Sequence, residues 1–390
     1  SIYAVLAMYV CVFLGPYLPF KMPAIAGIPP TGVWTIILLT YAFIASILPV
    51  TTLLQPRDFI NSHQLVIAMA LLMLGVLVAS FGGNLSIVAP AVQTTPAEAP
   101  PMWPFLFITI ACGAISGFHS LVSSGTSAKQ VRNENDALFV GYGSMLMEGA
   151  LATLVIIAVA AGIGMGYTTK AGETLTGVAA WSTHYASWAA AAGLGSKIAA
   201  FVDGSANMIM TLGISKQFTL AIMAVFVASF AGTTLDTATR IQRYVIGELG
   251  QSLKLNFLSD RYVATAVTVG SALILAFATG ASGNGALKLW PLFGAVNQTL
   301  AALALIIITL YLKSKNGMKW LVAGVPAVFM SVMTIWALVM NQFIFGTAHN
   351  GLLQIVNLII LVIAVWIAIE GLIKFFSPTH IAEDPAPVVT

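Results

Sequence analysis

Trp103 to Lys129 reads WPFLFITIACGAISGFHSLVSSGTSAK, a run that begins apolar and turns small and polar half-way along. About 20 apolar residues suffice for a helix to cross a hydrocarbon core about 30 Å thick. Yet Gly113 to Ser127 places eleven small or polar residues in fifteen positions. Inside a bilayer an intact helix keeps its backbone groups paired, whereas a broken one offers free N–H and C=O groups to a substrate. The run therefore predicts a spanning helix interrupted at a binding site, with Ser116, Gly117, His119, Ser123, Ser124, Gly125 and Thr126 as substrate-binding candidates. Hydroxyls and amides from Ser123 to Ser127 are expected to meet an anionic group, because a half-helix N-terminus carries partial positive charge. Gly113 and Gly117 also fit the small-xxx-small spacing of a helix-packing face. Histidine is the side chain that can switch charge near neutral pH, so His119 is read either as a proton-coupling group or donor to a carboxylate, or as a structural donor.

Working outward, the whole chain shares this character. Of its 390 residues 59% are hydrophobic and 7% charged, against roughly 25% charged in soluble domains. Side chains so rarely charged cannot cover a water-facing surface of this size, so a water-soluble fold is excluded and an all-helical integral membrane protein is expected. Strands are disfavoured because the apolar runs are long and do not alternate. A net charge of +3 gives no reason to expect a nucleic-acid partner. Cys11 and Cys112 lie in apolar stretches and read as buried hydrophobes, not as a disulfide or metal pair. No cofactor is expected beyond a coupling proton or sodium ion. The chain is apolar from Ile2 without a basic stretch before it, so no signal peptide is expected.

Ten spans are placed near 2–20, 33–54, 64–82, 103–128, 137–166, 218–246, 261–279, 288–312, 319–345 and 352–375. One set of alternate loops holds eleven Lys and Arg, among them Arg57, Arg240, Arg243 and Arg261, and the other set holds five. By the positive-inside rule both ends of this chain are then cytoplasmic. Ile198 to Leu212 is expected to be an extracellular helix lying on the protein, 83–101 irregular chain, and 377–390 a flexible tail after a 1–376 transmembrane domain.

Further polar groups enter the spans. Thr233, Thr234, Asp236 and Thr237 supply oxygens suited to a coupling cation or proton, although Asp236 could instead pair with Arg240 one turn on. Glu148, an intramembrane carboxylate, is read either as a second coupling candidate facing the bundle interior or as a protonated, hydrogen-bonded structural glutamate. Trp290, Phe293, Asn297 and Gln298 open the eighth span and are expected along a permeation path, with an interfacial anchor as the other reading of Trp290. Val140 to Gly143 copies the core of a potassium filter, but it opens a long span with no pore helix before it, which argues against a channel.

The run from Trp103 to Lys129 closely resembles the carbon starvation protein A (CstA) family of bacterial inner-membrane transporters. Three more blocks agree in the same order: LPVTTLLQPRDFIN (Leu48 to Asn61), FVGYGSMLMEG (Phe139 to Gly149) and LWPLFGAVNQTLAALAL (Leu289 to Leu305). The block around Thr233 to Arg243 matches in position. The resemblance implies a secondary transporter of the amino acid-polyamine-organocation type, with two inverted five-helix repeats, taking up peptides or pyruvate under carbon limitation. It further implies that this chain is the C-terminal part of the family pattern. By the same resemblance Ser116 to Thr126 is the broken helix of the second repeat, and Thr233 to Thr237 lies where related folds bind a coupling cation; the family does not uniformly keep Thr-Leu-Asp-Thr there.

The expected function is import of a small carboxylate-bearing nutrient across the inner membrane, by alternating access driven by a proton or sodium gradient, with no covalent chemistry. The rival readings are an intramembrane enzyme, which would want paired acids or a His/Glu metal cluster at a membrane face, and a sensor or scaffold without flux. Oligomeric state is not readable from the sequence.

Overall fold

The computed structural model describes residues 2–18, 20–169, 171–191, 193–315 and 317–377. The helices run in chain order as α1 (Ile2–Leu14), α2 (Pro30–Ile47), α3 (Leu54–Phe81), α4 (Phe107–Ala114), α5 (Gly117–Gly125), the short α6 (Asp136–Leu138) and α7 (Ser144–Ala160). They continue as α8 (Gly177–His184), α9 (Leu194–Met210), α10 (Lys216–Ser252), α11 (Arg261–Phe277), α12 (Trp290–Ser314), α13 (Leu321–Thr347) and α14 (Gly351–Phe376). A two-stranded hairpin, β1 (Tyr167–Thr168) and β2 (Thr174–Leu175), interrupts this series. The expected tail lies, except for Ser377, outside the described residues.

Among the described residues, eight helical runs are long and apolar enough to cross a membrane. The first and seventh expected spans are the shorter apolar helices Ile2–Tyr17 and Arg261–Phe277. Two boundaries move: the second span ends at Ile47, seven residues early, and α3 opens at Leu54, ten residues ahead of the expected third span. Arg57 and Asp58 read as loop residues in the sequence, but they lie inside the first turns of α3, where a tertiary ion pair accommodates the arginine. Pro56 is tolerated there because first-turn N–H groups have no intrahelical acceptor to lose. Gly83 to Pro101 contains no helix. The tetrapeptide at 140–143 is a wide helical turn, Phe139–Gly143, leading into α7, so it presents no filter loop.

The helices sort into two compact units. The first takes the described residues of Ser1–Ala99 and Val131–Gly285. Its core joins Ala68, Met69 and Leu72 of α3, Leu154 and Ala158 of α7, Met208 and Ile209 of α9, and Met223 and Phe226 of α10. Helix α9 therefore does more than lie on the surface: it packs between three spanning helices. Glycine makes this approach possible. A Cβ on Gly75 would sit 2.7 Å from the Met208 carbonyl oxygen, and one on Gly204 would collide with that of Ala158.

The second unit takes the described residues of Pro100–Gln130 and Ala286–Thr390. Its helices α12, α13 and α14 meet on small residues, with Ala295, Ala301, Ala302, Ala323, Ala327, Ala337 and Ala364 nearly inaccessible. Asn357 of α14 is fully buried and donates to the Leu338 carbonyl and to Gln342 Oε1, both at 2.8 Å. The outer face of α14 carries Ile355, Ile359, Val362, Trp366, Ile369 and Ile373 in the open, a surface suited to lipid contact.

Candidate functional site

The interruption foreseen in the fourth span is present in the second unit. Helix α4 stops at Ala114, Ile115 and Ser116 are extended (φ/ψ −141/103° and −112/131°), and α5 restarts at Gly117. The chemistry at this break is specific. Asn297 of α12 accepts the Phe118 N–H on Oδ1 at 2.8 Å, while its Nδ2 donates to Ser116 Oγ (3.2 Å) and Cys112 Sγ (3.3 Å). Ser116 also caps α5 by accepting the His119 N–H. Gly117 is buried against α12, where any Cβ would overlap the Asn297 carbonyl oxygen. One amide side chain thus staples the two half-helices to their neighbour.

Two expectations are corrected by this geometry. The half-helix N-terminus lies at Gly117, not ahead of Ser123; Ser123 and Ser124 occupy the C-terminal half of α5 and donate to the Ser120 and Leu121 carbonyls. Small residues permit a break without fixing its register, and the extended pair Ile115–Ser116 decides it. Asn297 and Gln298 are buried, with 4% and 0% of their surface exposed, and bond across to Ser116, Cys112, Phe118 and the Ile108 carbonyl in place of an open path. Trp290 and Phe293 are half exposed and stack, with centroids 5.1 Å apart. His119, Ser123 and Ser124 are exposed, Gly125 is half-buried, and Thr126 is buried with its hydroxyl unpartnered.

In the first unit Asp236 pairs with Arg57 of α3, its Oδ2 lying 2.8 Å from Nη1, and not with Arg240. Arg240 points the other way and donates to the Ala45 carbonyl at the C-terminus of α2 (2.8 Å). Arg57 also donates to the Tyr41 hydroxyl (2.9 Å), and Asn61 donates to Thr233 Oγ1. Asp236 has 1% of its surface exposed, and its second oxygen, Oδ1, has no hydrogen-bond partner among the described residues. Helix α10 is continuous here. Thr233, Thr234 and Thr237 hydroxyls donate to carbonyls one turn back, at Ser229, Phe230 and Thr233. Arg57 and Asn61 were missed as site residues because a pair separated by 179 positions leaves no local signal. Glu148 is exposed, where the sequence placed it inward; α7 is apolar on all sides, so its pattern did not reveal that Leu154 and Ala158 form the packed face. Among the described residues no group of three or more His, Cys, Asp or Glu is placed to hold a metal ion.

Long apolar helices with a stapled break in one of them define the class: a multi-pass helical membrane protein. The family model described as carbon starvation protein CstA matches residues 1–337, and the chain belongs to that family. It is 33% identical, over 85% of its length, to the pyruvate/proton symporter BtsT of Escherichia coli, covering 52% of that protein. It is 30% identical over 92% of its length to the peptide transporter CstA of Helicobacter pylori, and 34% identical over 79% to the peptide transporter CstA of Mycobacterium tuberculosis, covering 58% and 46% of those proteins. The chain thus spans about half the length of these curated relatives. No solved structure matches.

Proposed function

We propose that the full-length protein is a secondary active transporter that imports a short peptide or pyruvate across the bacterial inner membrane by alternating access. The observation that carries this reading is the break at Ile115–Ser116, because an interrupted span exposes backbone polar groups that an intact one conceals. The relatives' names, peptide transporters and a pyruvate/proton symporter, give the substrate class. His119, Ser123 and Ser124, with accessible polar groups, meet the substrate carboxylate, and Ser116, Gly117, Gly125 and Thr126 shape the break beside them. Ten spans in two inverted repeats, with both chain ends cytoplasmic, remain our topology; the uneven Lys and Arg distribution supports it.

Asp236 is the coupling group in this reading. Its free Oδ1 accepts a proton or contacts a sodium ion, which weakens the hold of Arg57 on Oδ2 and so links gradient to helix contact. The full-length gene product in proteoliposomes is given labelled pyruvate or a labelled dipeptide under imposed proton and sodium gradients. Accumulation of one substrate under one gradient is expected; no accumulation of either by folded protein overturns the proposal.

A further inference from the structure

Within the first two turns past Asp236, α10 carries two arginines, Arg240 and Arg243, that no step of transport uses. Helix α10 rises about 1.5 Å per residue, so Asp236 stands about 30 Å from Lys216, a full hydrocarbon thickness away. Residues from Arg240 onward therefore emerge at the level of the lipid head groups. There the C-terminal end of α2, the last turns of α10 and the start of α11 enclose a cavity of about 510 Å³. Its polar wall holds Arg240, Arg243, Arg261 and Glu248, and its apolar wall holds Leu48 and Val50.

Charge in this cavity is unbalanced. Arg240 and Arg243 are 3% and 8% exposed, yet neither they nor Arg261 has an ion-pair partner among the described residues. Nε of Arg243 is buried without a hydrogen-bond acceptor, and its guanidinium carbon stands 4.7 Å from the Tyr244 ring centroid, which holds the group in place. The nearby acids do not supply the missing charge. Asp236 is engaged by Arg57, Asp260 caps α11 through the Tyr262 and Val263 N–H groups, and Glu248, exposed in the same wall and without an ion pair among the described residues, offsets only one of the three arginine charges. Buried cations require a counter-charge, and several guanidinium groups converging from different helices suit a tetrahedral anion with acceptors on all sides.

We propose that the cavity between α2, α10 and α11 binds a phosphate group, with Arg240, Arg243 and Arg261 as its ligands. Two sources share this chemistry: the phosphodiester of an anionic lipid, whose glycerol portion would rest on Leu48 and Val50, and a free phosphate. The purified full-length protein in neutral detergent is titrated with short-chain phosphatidylglycerol, with inorganic phosphate, and with both, following the unfolding temperature. Ligand bound to the folded state raises that temperature in proportion to occupancy.

Saturable stabilisation is expected, with the half-saturating concentration rising at least about tenfold in R243Q/R261Q, the loss of two charge-assisted contacts. R261Q alone, at an exposed position, should raise it about threefold and serves if the double variant does not fold. Stabilisation by lipid that phosphate neither mimics nor displaces assigns the lipid head group; stabilisation by phosphate alone assigns a free phosphate. K315Q/K319Q, at lysines that do not line the cavity, should leave the titration unchanged. No stabilisation by either probe, or equal half-saturation in wild type and variants, overturns the proposal.

Discussion

Removing one partner of the Arg57–Asp236 pair strands the other charge where little water reaches it, with Asp236 1% exposed. Such losses cost about 3–5 kcal/mol, while removing both charges together costs less than the sum. R57Q and D236N are each expected to lower the unfolding temperature markedly, and R57Q/D236N to recover part of it. A simple sum of the two effects would show that the pair carries no coupling. If Asp236 couples transport, D236N protein that still folds should also lose gradient dependence of uptake. His119 offers a second check at this scale: H119Q should move the pH optimum of uptake if the imidazole titrates during the cycle.

The broken helix is an element held at its break by one amide, Asn297. Asn297→Ala leaves the Phe118 N–H and Ser116 hydroxyl without their α12 partner, an expected cost of about 1–3 kcal/mol, visible in thermal unfolding. Gly117→Ala forces a methyl group into the α12 backbone, and overpacking of this kind costs about 1–3 kcal/mol or prevents close packing altogether. Ser124 differs, since its hydroxyl bonds only to carbonyls of its own helix and is exposed. Ser124→Ala should therefore change stability by no more than about 0.5 kcal/mol. A rise of several-fold in the half-saturating substrate concentration, at unchanged expression, would place Ser124 at the substrate. Loss of folding would make it a packing residue.

At the scale of the whole molecule, stability should depend on pH through the segment between α7 and α10. His184 is buried edge-on to Tyr167 and Tyr185, with Nε2 unpartnered. Burial holds its imidazole below the ordinary value of 6.5, opposed by the Asp203 carboxylate and a backbone bond at Ser196. The unfolded chain therefore takes up the proton first, and stability present above pH 6.5 falls as the pH drops below it. Burial pushes the Asp203 carboxyl up, opposed by Lys216 and His184, so its contribution runs the other way: the charged form is disfavoured, and acidification through its raised value restores stability. Unfolding temperatures taken downward from pH 7 should first decline, and His184→Phe should remove that decline. Topology is checked at the same scale. Single cysteines placed at Lys197 and Lys315, in a background lacking Cys11 and Cys112, should label from opposite sides of the membrane; labelling from one side would break the positive-inside assignment.

Composition by itself determined the membrane class, because so few charged side chains leave no means of covering a water-facing surface. The clustering of small and polar residues from Gly113 to Ser127 likewise determined that the fourth span breaks, since such residues lower the cost of leaving a helix. Where it breaks was decided by α12. Only the folded chain brings Asn297 against Phe118 and Gly117, 179 and 180 positions away in sequence, and that contact selects Ile115–Ser116 as the extended pair. The same holds for charge. Nothing local in Asp236 favours Arg57 over Arg240, and helical spacing alone favours Arg240; the packing of α3 against α10 reverses that preference and leaves Arg240 to the end of α2. Local periodicity reports which residues share a helix face, but the identity of the facing helix is a long-range fact that only the tertiary structure holds.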